Sequence, residues 1–321
     1  MALSDLVNTF GTDLKRRYGE RVHKVAINAG LSCPNRDGSK GQGGCTFCNN
    51  ASFSPNARRP PSVAEQLEAG RQVIRKRTGA RRYLAYFQAY TTTDGDLDLL
   101  ADLYRQALAE PDVIGLSVGT RPDCCPPAVL DLLAGLREQG HEVWLELGLQ
   151  SAFDATLTRV NRGHGFAEYR QALLGARTRG LPVCTHLIVG LPGEGREEAL
   201  ESLERVLGLG ADGLKLHPLH IVKGTRLAND WRRGAYVPLD MEEYIGIAAD
   251  LVERTPPEVV YHRLTGTAGR DILLAPAWCS KKWLVLNGIE AELRRRGSAQ
   301  GQLVSLGWPR TAASCSRVAV A

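Results

Sequence analysis

Residues 33–48 read Cys33-Pro34-Asn35-Arg36-Asp37-Gly38-Ser39-Lys40-Gly41-Gln42-Gly43-Gly44-Cys45-Thr46-Phe47-Cys48, three cysteines at C-x11-C-x2-C spacing in one loop. Four glycines separate the first two cysteines, so the backbone there takes positive φ and approaches a bound group at little steric cost. Three thiolates are one short of the four that ordinarily hold an iron–sulfur cluster or a structural zinc. An iron left without a thiolate is a coordination position for something else.

Outward from this loop the chain alternates. Residues 23–31, with β-branched Val25 and Ile27 and Val22 just ahead, are strand-like and lead into the cysteines. A polar loop with Pro55, Pro60 and Pro61 follows, then a helix over about 63–77. Apolar strand candidates at 83–90, 112–119, 142–149, 182–190 and 213–219 then alternate with helical patterns at about 96–109, 127–138, 166–179 and 196–207. Gly140, Gly180 and Gly208 stand where left-handed helix caps belong. Strand and helix in alternation imply right-handed βαβ units and a parallel sheet. Six units are too few for a closed eight-fold barrel, so the expected fold is α/β: a partial (β/α)6 TIM-type barrel with a C-terminal α/β extension. Reactive groups in such barrels gather at the C-terminal ends of the strands, where the cysteine loop lies. The chain divides into a charged lead-in (1–21), the barrel (22–225), an extension (226–307) with helices near 241–253 and 281–296 and a strand-like stretch at 259–262, and a weak tail (308–321) that need not be ordered.

Of 321 residues, 43% are hydrophobic, and the net charge is +5, a mild basic excess that permits a polyanionic partner without requiring one. The N-terminal residues lack the pattern of a secretory signal, and no apolar run approaches the ~18 residues of a membrane span. The expected location is therefore cytoplasmic, with no membrane partner. Thiols stay reduced there, so the eight cysteines argue for metal ligation by the clustered three rather than a disulfide framework.

The spacing, the Cys-Pro-Asn-Arg-Asp-Gly run and the Gly-Gly-Cys-x-Phe-Cys ending resemble the radical S-adenosylmethionine (radical SAM) enzymes. The chain is most similar to a subgroup with an eleven-residue first gap, related to the Elongator catalytic subunit and to oxygen-independent coproporphyrinogen dehydrogenase. The resemblance implies that Cys33, Cys45 and Cys48 hold a [4Fe-4S] cluster, that the amino and carboxylate groups of SAM chelate the fourth iron, and that a flavodoxin or ferredoxin type protein donates electrons.

It also marks candidate SAM contacts at the strand ends. Gln88 and Tyr90 in Phe-Gln-Ala-Tyr-Thr look like the counterpart of the segment that holds the SAM amino group; an ordinary polar strand end is the alternative. Related enzymes carry a glutamate where Gly119 stands, and Thr120 or Arg121 could substitute for it. Gln150 and Arg162 resemble two SAM contacts in residue type and spacing, an amide for ribose hydroxyls and a guanidinium for a carboxylate. Period-2 alternation puts Glu146, Gly148 and Gln150 on one face, where a buried carboxylate needs a partner. Gly190, in Gly-Leu-Pro-Gly-Glu, resembles the motif on which SAM adenine stacks. Lys215 and His217 share one face of their strand and are SAM or substrate contacts if that face is inward. Arg263 to Gly266 and Ala275 to Cys279 also look like subgroup signatures; for Cys279, Cys184, Cys124 and Cys125, core packing is the simpler reading.

Similarity to the Elongator subunit and the basic balance point to a tRNA wobble uridine as substrate, with 5-carboxymethylaminomethyluridine converted to 5-aminomethyluridine. No acetyl-CoA loop is visible, and the extension is too short for an acetyltransferase domain, so acetyl transfer is not expected. A radical SAM reaction on a small metabolite is the alternative enzyme. A non-catalytic zinc or iron–sulfur RNA-binding module, with His23 or another cysteine as fourth ligand, is the alternative from another class. The basic residues around Arg71 to Arg82, and Lys281, Lys282 and Arg294 to Arg296, would serve RNA only if folding gathered them around one cleft.

Overall fold

A computed structural model describes residues 2–49 and 61–304. Pro55, Pro60 and the 308–321 tail lie outside the described residues. Seven parallel strands form one curved sheet in the order β1 (Val22–Ile27), β2 (Arg82–Phe87), β3 (Val113–Thr120), β4 (Glu142–Gln150), β5 (Val183–Val189), β6 (Gly213–Pro218) and β8 (Val260–Arg263). Between them run α4 (Val63–Thr78), α5 (Leu97–Leu108), α6 (Pro127–Glu138), α7 (Asp154–Arg159), α8 (Phe166–Arg177) and α9 (Arg196–Gly208). After β6 come the short β7 (Ile221–Val222), α10 (Arg226–Arg232), α11 (Met241–Arg254), β9 (Leu273–Ala275) and α12 (Lys282–Arg295). Ahead of the sheet are α1 (Leu3–Leu6) and α2 (Phe10–Tyr18); α3 (Pro34–Asp37) lies within the cysteine loop.

The partial barrel is therefore present, with one strand more than the βα repeat predicts. β8 comes from the extension and pairs in parallel with β6, Gly213 opposite Val260 and Lys215 opposite Arg263. It is the stretch expected as strand-like at 259–262; its place in this sheet was not expected, because no βα repeat leads into it. Gly140 and Gly180 take positive φ as expected; at the end of α9 the left-handed turn falls on Gly210 rather than Gly208, because α9 runs through Gly208 before the chain reverses.

The sheet has two different faces. Outward residues, among them Val25, Ile27, Tyr83, Phe87, Leu116, Leu145, Leu147, Leu187 and Leu216, pack under the helices in the main core. Inward residues are layered. At the strand starts Val22, Leu84, Trp144, Cys184 and Val260 close over Phe10 and Leu14 of α2. Thr9 bridges to Tyr261, and α2 touches both β8 and β1, so the lead-in plugs the N-terminal mouth of the half-barrel. Higher up the inward side chains are polar, and the C-terminal mouth holds the cysteine loop.

Candidate active site

The loop from Cys33 to Cys48 is wound on its own backbone. The Cys33 carbonyl accepts from Arg36 N (2.7 Å) and Asp37 N (3.0 Å), starting the single turn of α3. Gly38, Gly43 and Gly44 take φ of 99°, 77° and 69°, a region that strains any side chain. At Gly41 a Cβ would stand 2.3 Å from Asn35 Oδ1, so the glycine is also needed for space. Asn35, almost fully buried, donates to the Asn161 carbonyl (2.7 Å), and Asn161 Nδ2 donates back to the carbonyls of Gln42 (3.0 Å) and Gly44 (2.8 Å). This clasp ties the loop to the segment that follows β4. Asn161 holds it with φ of 53°, and Tyr90 and Gln150 are the other non-glycine residues at positive φ among the described residues (61° and 83°). All three lie past or at strand ends on the cysteine side, where strain of this kind accompanies function.

Arg162, next along, reaches the same place. Its Nη2 donates to the Gly148 carbonyl (2.6 Å), its Nη1 lies 3.5 Å from Cys45 Sγ, and its buried Nε has no partner among the described residues. Asn35 Nδ2 approaches the same sulfur at 3.8 Å. Burial, then the neighbouring Cys45, and also Cys33, push the Cys48 thiol up to about 12, against the pull of Arg36 and Arg162. Thiols so placed ionise when a cationic centre compensates. Among the described residues the one set of three potential ligands within 4.8 Å of one another is Glu146, Cys184 and His186, so the loop thiols stand too far apart for one ion. Tetrahedral zinc, with Zn–S of about 2.3 Å, draws its sulfurs closer than that. Three cysteines on one loop, with Arg162 and Asn35 donors beside Cys45 Sγ, are a donor set that suits an iron–sulfur cluster. His23, the zinc module's candidate ligand, sits at the opposite end of β1, about 13 Å of strand below Ile27.

Other candidates fall around this centre. Gln150 ends β4 with its amide within 2.9 Å of where a Gly148 Cβ would be, a point that Arg162 Nη2 also reaches at 2.9 Å, so the pair converges on Gly148. Gln88 follows β2 and donates its backbone N–H to the Ile27 carbonyl (3.2 Å). At Gly119 a Cβ would stand 3.2 Å from the Phe87 carbonyl oxygen, a tight approach to backbone, with Tyr86 at ordinary contact distance (3.5 Å). Neither proposed substitute for a glutamate at Gly119 is free. Thr120 bonds Thr93 (2.5 Å), and buried Arg121 grips Asp123 through two 2.9 Å contacts and supports the Arg162 carbonyl (2.9 Å). Gly190 has φ of 86°, and Leu239 from the extension comes within 2.9 Å of its missing Cβ, while Tyr236 donates to its carbonyl (2.7 Å). Cys279 is buried in the core beside Trp278, as packing predicts.

Lys215 and His217 do point inward, but Lys215 belongs to a network. Glu146, fully buried, accepts from Lys215 Nζ (2.9 Å), Lys24 Nζ, Ser117 Oγ and, at 2.7 Å, His186 Nε2 when that nitrogen carries the proton; His262 Nδ1 lies 3.4 Å away. Lys215 also donates to Tyr86 Oη (2.6 Å). Burial lowers Lys215 to about 8 despite Glu146, whereas Lys215 and Lys24 together more than reverse the effect of burial on Glu146 and hold it well below the usual carboxylate range. With its oxygens so occupied, Glu146 has no room for a cation beside Cys184 and His186. Sequence reasoning foresaw that Glu146 needs a partner but did not find Lys24, Tyr86, His186 or His262. It also gave no role to His164, whose buried Nε2 lacks a partner and which burial, Arg162 and Arg121 push down to about 3. Each is one polar residue in an otherwise ordinary strand or loop, and nothing local marks it.

The half-barrel, its polar centre and the three-cysteine loop at its mouth define a radical SAM protein. The radical SAM superfamily model matches residues 33–206 and the radical SAM C-terminal domain model matches residues 211–295, so this chain belongs to the radical SAM superfamily: an enzyme that uses a [4Fe-4S] cluster and SAM. It is 52% identical to Protein YhcC of Escherichia coli K12 over 308 residues, 96% of this chain and 98% of that protein. It is 33% identical over 160 residues to a tRNA uridine(34) acetyltransferase of Dehalococcoides mccartyi, covering 49% of this chain and 34% of that protein. Among solved structures it resembles Elp3 of Methanocaldococcus infernus with a TM-score of 0.61 at 20% identity, covering 87% of this chain and 64% of that one, a likeness of fold. No helix among the described residues is long and apolar enough to cross a membrane.

Proposed function

We propose that this enzyme acts on a tRNA wobble uridine, removing the carboxymethyl part of a 5-carboxymethylaminomethyl side chain to leave 5-aminomethyluridine. The observation that carries this is the relatedness of its radical SAM segment to a tRNA uridine(34) acetyltransferase. The reaction is a two-electron oxidation of the carbon next to nitrogen, followed by hydrolysis of the C–N bond. One water is consumed, the two carbons leave as an aldehyde acid, and SAM is the overall oxidant, ending as methionine and 5′-deoxyadenosine.

The cofactors, when bound, supply a 5′-deoxyadenosyl radical that takes hydrogen from an unactivated C–H bond. The chain's own residues bind and orient. Cys33, Cys45 and Cys48 hold the cluster, and Asn35 and Asn161 fix the loop that presents them. Arg162, already anchored on Gly148 and with Nε free, takes the SAM carboxylate; Gln150 takes ribose hydroxyls; Gln88, Tyr90 and Gly190 line the remaining strand ends. Lys215 and His217 face the substrate side of the barrel, and a flavodoxin or ferredoxin type protein delivers the electron near the cysteine loop. The apolar plug of Phe10, Leu14 and Trp144 closes the other mouth against water.

The test is anaerobic incubation of reconstituted protein, SAM and reductant with tRNA carrying the carboxymethylaminomethyl nucleoside, followed by nucleoside analysis. Conversion to the aminomethyl nucleoside with 5′-deoxyadenosine formed alongside is expected, and Cys45→Ala should abolish both. Vigorous SAM cleavage with an unchanged nucleoside profile would sink the substrate assignment while leaving the enzyme class intact.

A further inference from the structure

Two runs of basic residues stand out in the sequence, and the fold pairs some of their charges and not others; in the first, Arg71 is bound to Glu110 and Asp112 and Arg82 to Glu20. At the end of α12, Arg294 pairs with Glu290 (2.8 Å), Arg295 with Glu292 (2.8 Å) and Arg296 with Asp250 and Glu253 (2.7 Å each). At the start of the same helix, Lys281 and Lys282 are exposed and have no carboxylate partner among the described residues. The same is true of Arg75, Lys76 and Arg77 at the end of α4 and of Arg263 at the end of β8.

Of these, Lys282, Arg77 and Arg263 lie near enough to act on one another's charge, beside the open side of the half-barrel. β1 and β8 are the two ends of the strand order, so the gap between them is the seam where a full barrel would close. Lys282 lies in that region: after burial, Arg263 and Arg77 are what lower its affinity for a proton, and Lys282 does the same to His23 of β1, after burial and Arg21. Arg263 is felt in turn by Lys215, His217 and His220 within the barrel. A band of positive charge therefore runs from α4 and α12 across the seam toward the interior. Like charges held together without counter-charge repel one another, and a polyanion relieves that cost.

The band also carries an aromatic. Trp283 is 71% exposed and its neighbour Leu284 48%, with Lys282 Nζ 5.4 Å from the indole centroid. An indole in water beside unpaired cations is the combination that stacks a base while its backbone is neutralised.

We propose that Lys281, Lys282 and Trp283, with Arg77 and Arg263, form a docking surface for a single-stranded RNA loop, phosphates on the cations and a base on the indole. This rests on the tRNA reading above and adds the side from which the strand enters. The exposed indole favours RNA over an acidic electron-donor protein: a carboxylate-rich surface would satisfy the cations and leave the ring without a stacking partner.

The experiment uses the full-length reconstituted protein and labelled unfractionated Escherichia coli tRNA, with anisotropy measured from 50 to 200 mM KCl. Lys281→Ala/Lys282→Ala should weaken binding roughly tenfold at the lowest salt and reduce the salt slope by about 1.4, two contacts at ~0.7 each. Trp283→Ala should weaken it roughly tenfold with the slope unchanged. The matched control Arg294→Ala/Arg295→Ala, with the same change in net charge on the same helix, should stay within about twofold, since those arginines are already paired. SAM cleavage without RNA reports that every variant is folded and loaded. If the wild type neither binds nor converts tRNA, the tRNA reading falls and this surface with it. If tRNA is bound or converted but the two double variants behave alike, only the docking surface is overturned. If Lys281→Ala/Lys282→Ala slows reduction by an acidic flavodoxin while tRNA binding is untouched, the surface belongs to the donor and the proposal is wrong.

Discussion

Strand β4 carries Leu145 and Leu147 on one side and Glu146 on the other, and none of the three is exposed to solvent. On the outer side the leucines join a core of some fifty apolar side chains, where attraction is non-directional and a neighbour of similar volume serves as well. On the inner side a single carboxylate is held by two ammonium groups, a hydroxyl and two imidazoles from five other strands. Equal burial thus rests on two kinds of physics. The outer face makes the sheet stable; the inner face, which costs desolvation, is retained because it keeps the barrel interior polar above its plug.

Four substitutions and one titration test that contrast. Glu146→Leu leaves Lys24 and Lys215 buried without counter-charge and should cost about 3–5 kcal/mol in urea unfolding; a loss below about 1 kcal/mol would mean the network is dispensable. Leu147→Ala, on the outer face, should cost about 3 kcal/mol by removing packed methyl groups, with the pH dependence of stability unaltered. Acidification separates the faces next. Burial holds His186 at about 4 and His262 at about 3, below their usual 6.5, so between those values and pH 6.5 the unfolded chain binds protons that the folded one refuses. Stability should therefore fall as pH drops from 6.5 toward 4, by up to about 1.4 kcal/mol per pH unit for each histidine, and fall further below 4.5 as Glu146 adds its share. His186→Asn should flatten the slope; an unchanged slope would show that His186 is not buried as neutral imidazole. The smallest effect belongs to charge paired in water: Arg105→Ala, which breaks an exposed contact to Asp102, should change stability by no more than about 0.5 kcal/mol.

The same contrast explains what was legible in the sequence. Outer-face residues recur every second position over several strands, and helix faces recur near every 3.6, so five of the strands and the helices between them were read within a few residues. The cysteine loop was legible because all three cysteines sit within sixteen residues. Glu146 was marked by sharing a face with Gly148 and Gln150 and by its need for a partner, yet Lys24 stands 122 residues away and His262 stands 116. Likewise, Thr120 and Arg121 looked available for a ligand until their partners Thr93 and Asp123 were in view. The basic runs read alike as composition; the placement of Glu290, Glu292, Asp250 and Glu253 neutralises Arg294 to Arg296, and that of Glu110, Asp112 and Glu20 neutralises Arg71 and Arg82, leaving Lys281, Lys282 and Arg77 without such partners.

From the sequence alone came the three-cysteine loop, the alternating βα order that makes a parallel half-barrel, and through them the class of chemistry, because each is written in residues close along the chain. The tertiary structure decided that the strand-like stretch at 259–262 joins the sheet as its seventh strand, the clasp between Asn35 and Asn161, the partners of Glu146 and which cations stay unpaired at the seam. Those depend on which distant groups become neighbours when the sheet curves, and burial and pairing energies act through space whatever the separation along the chain.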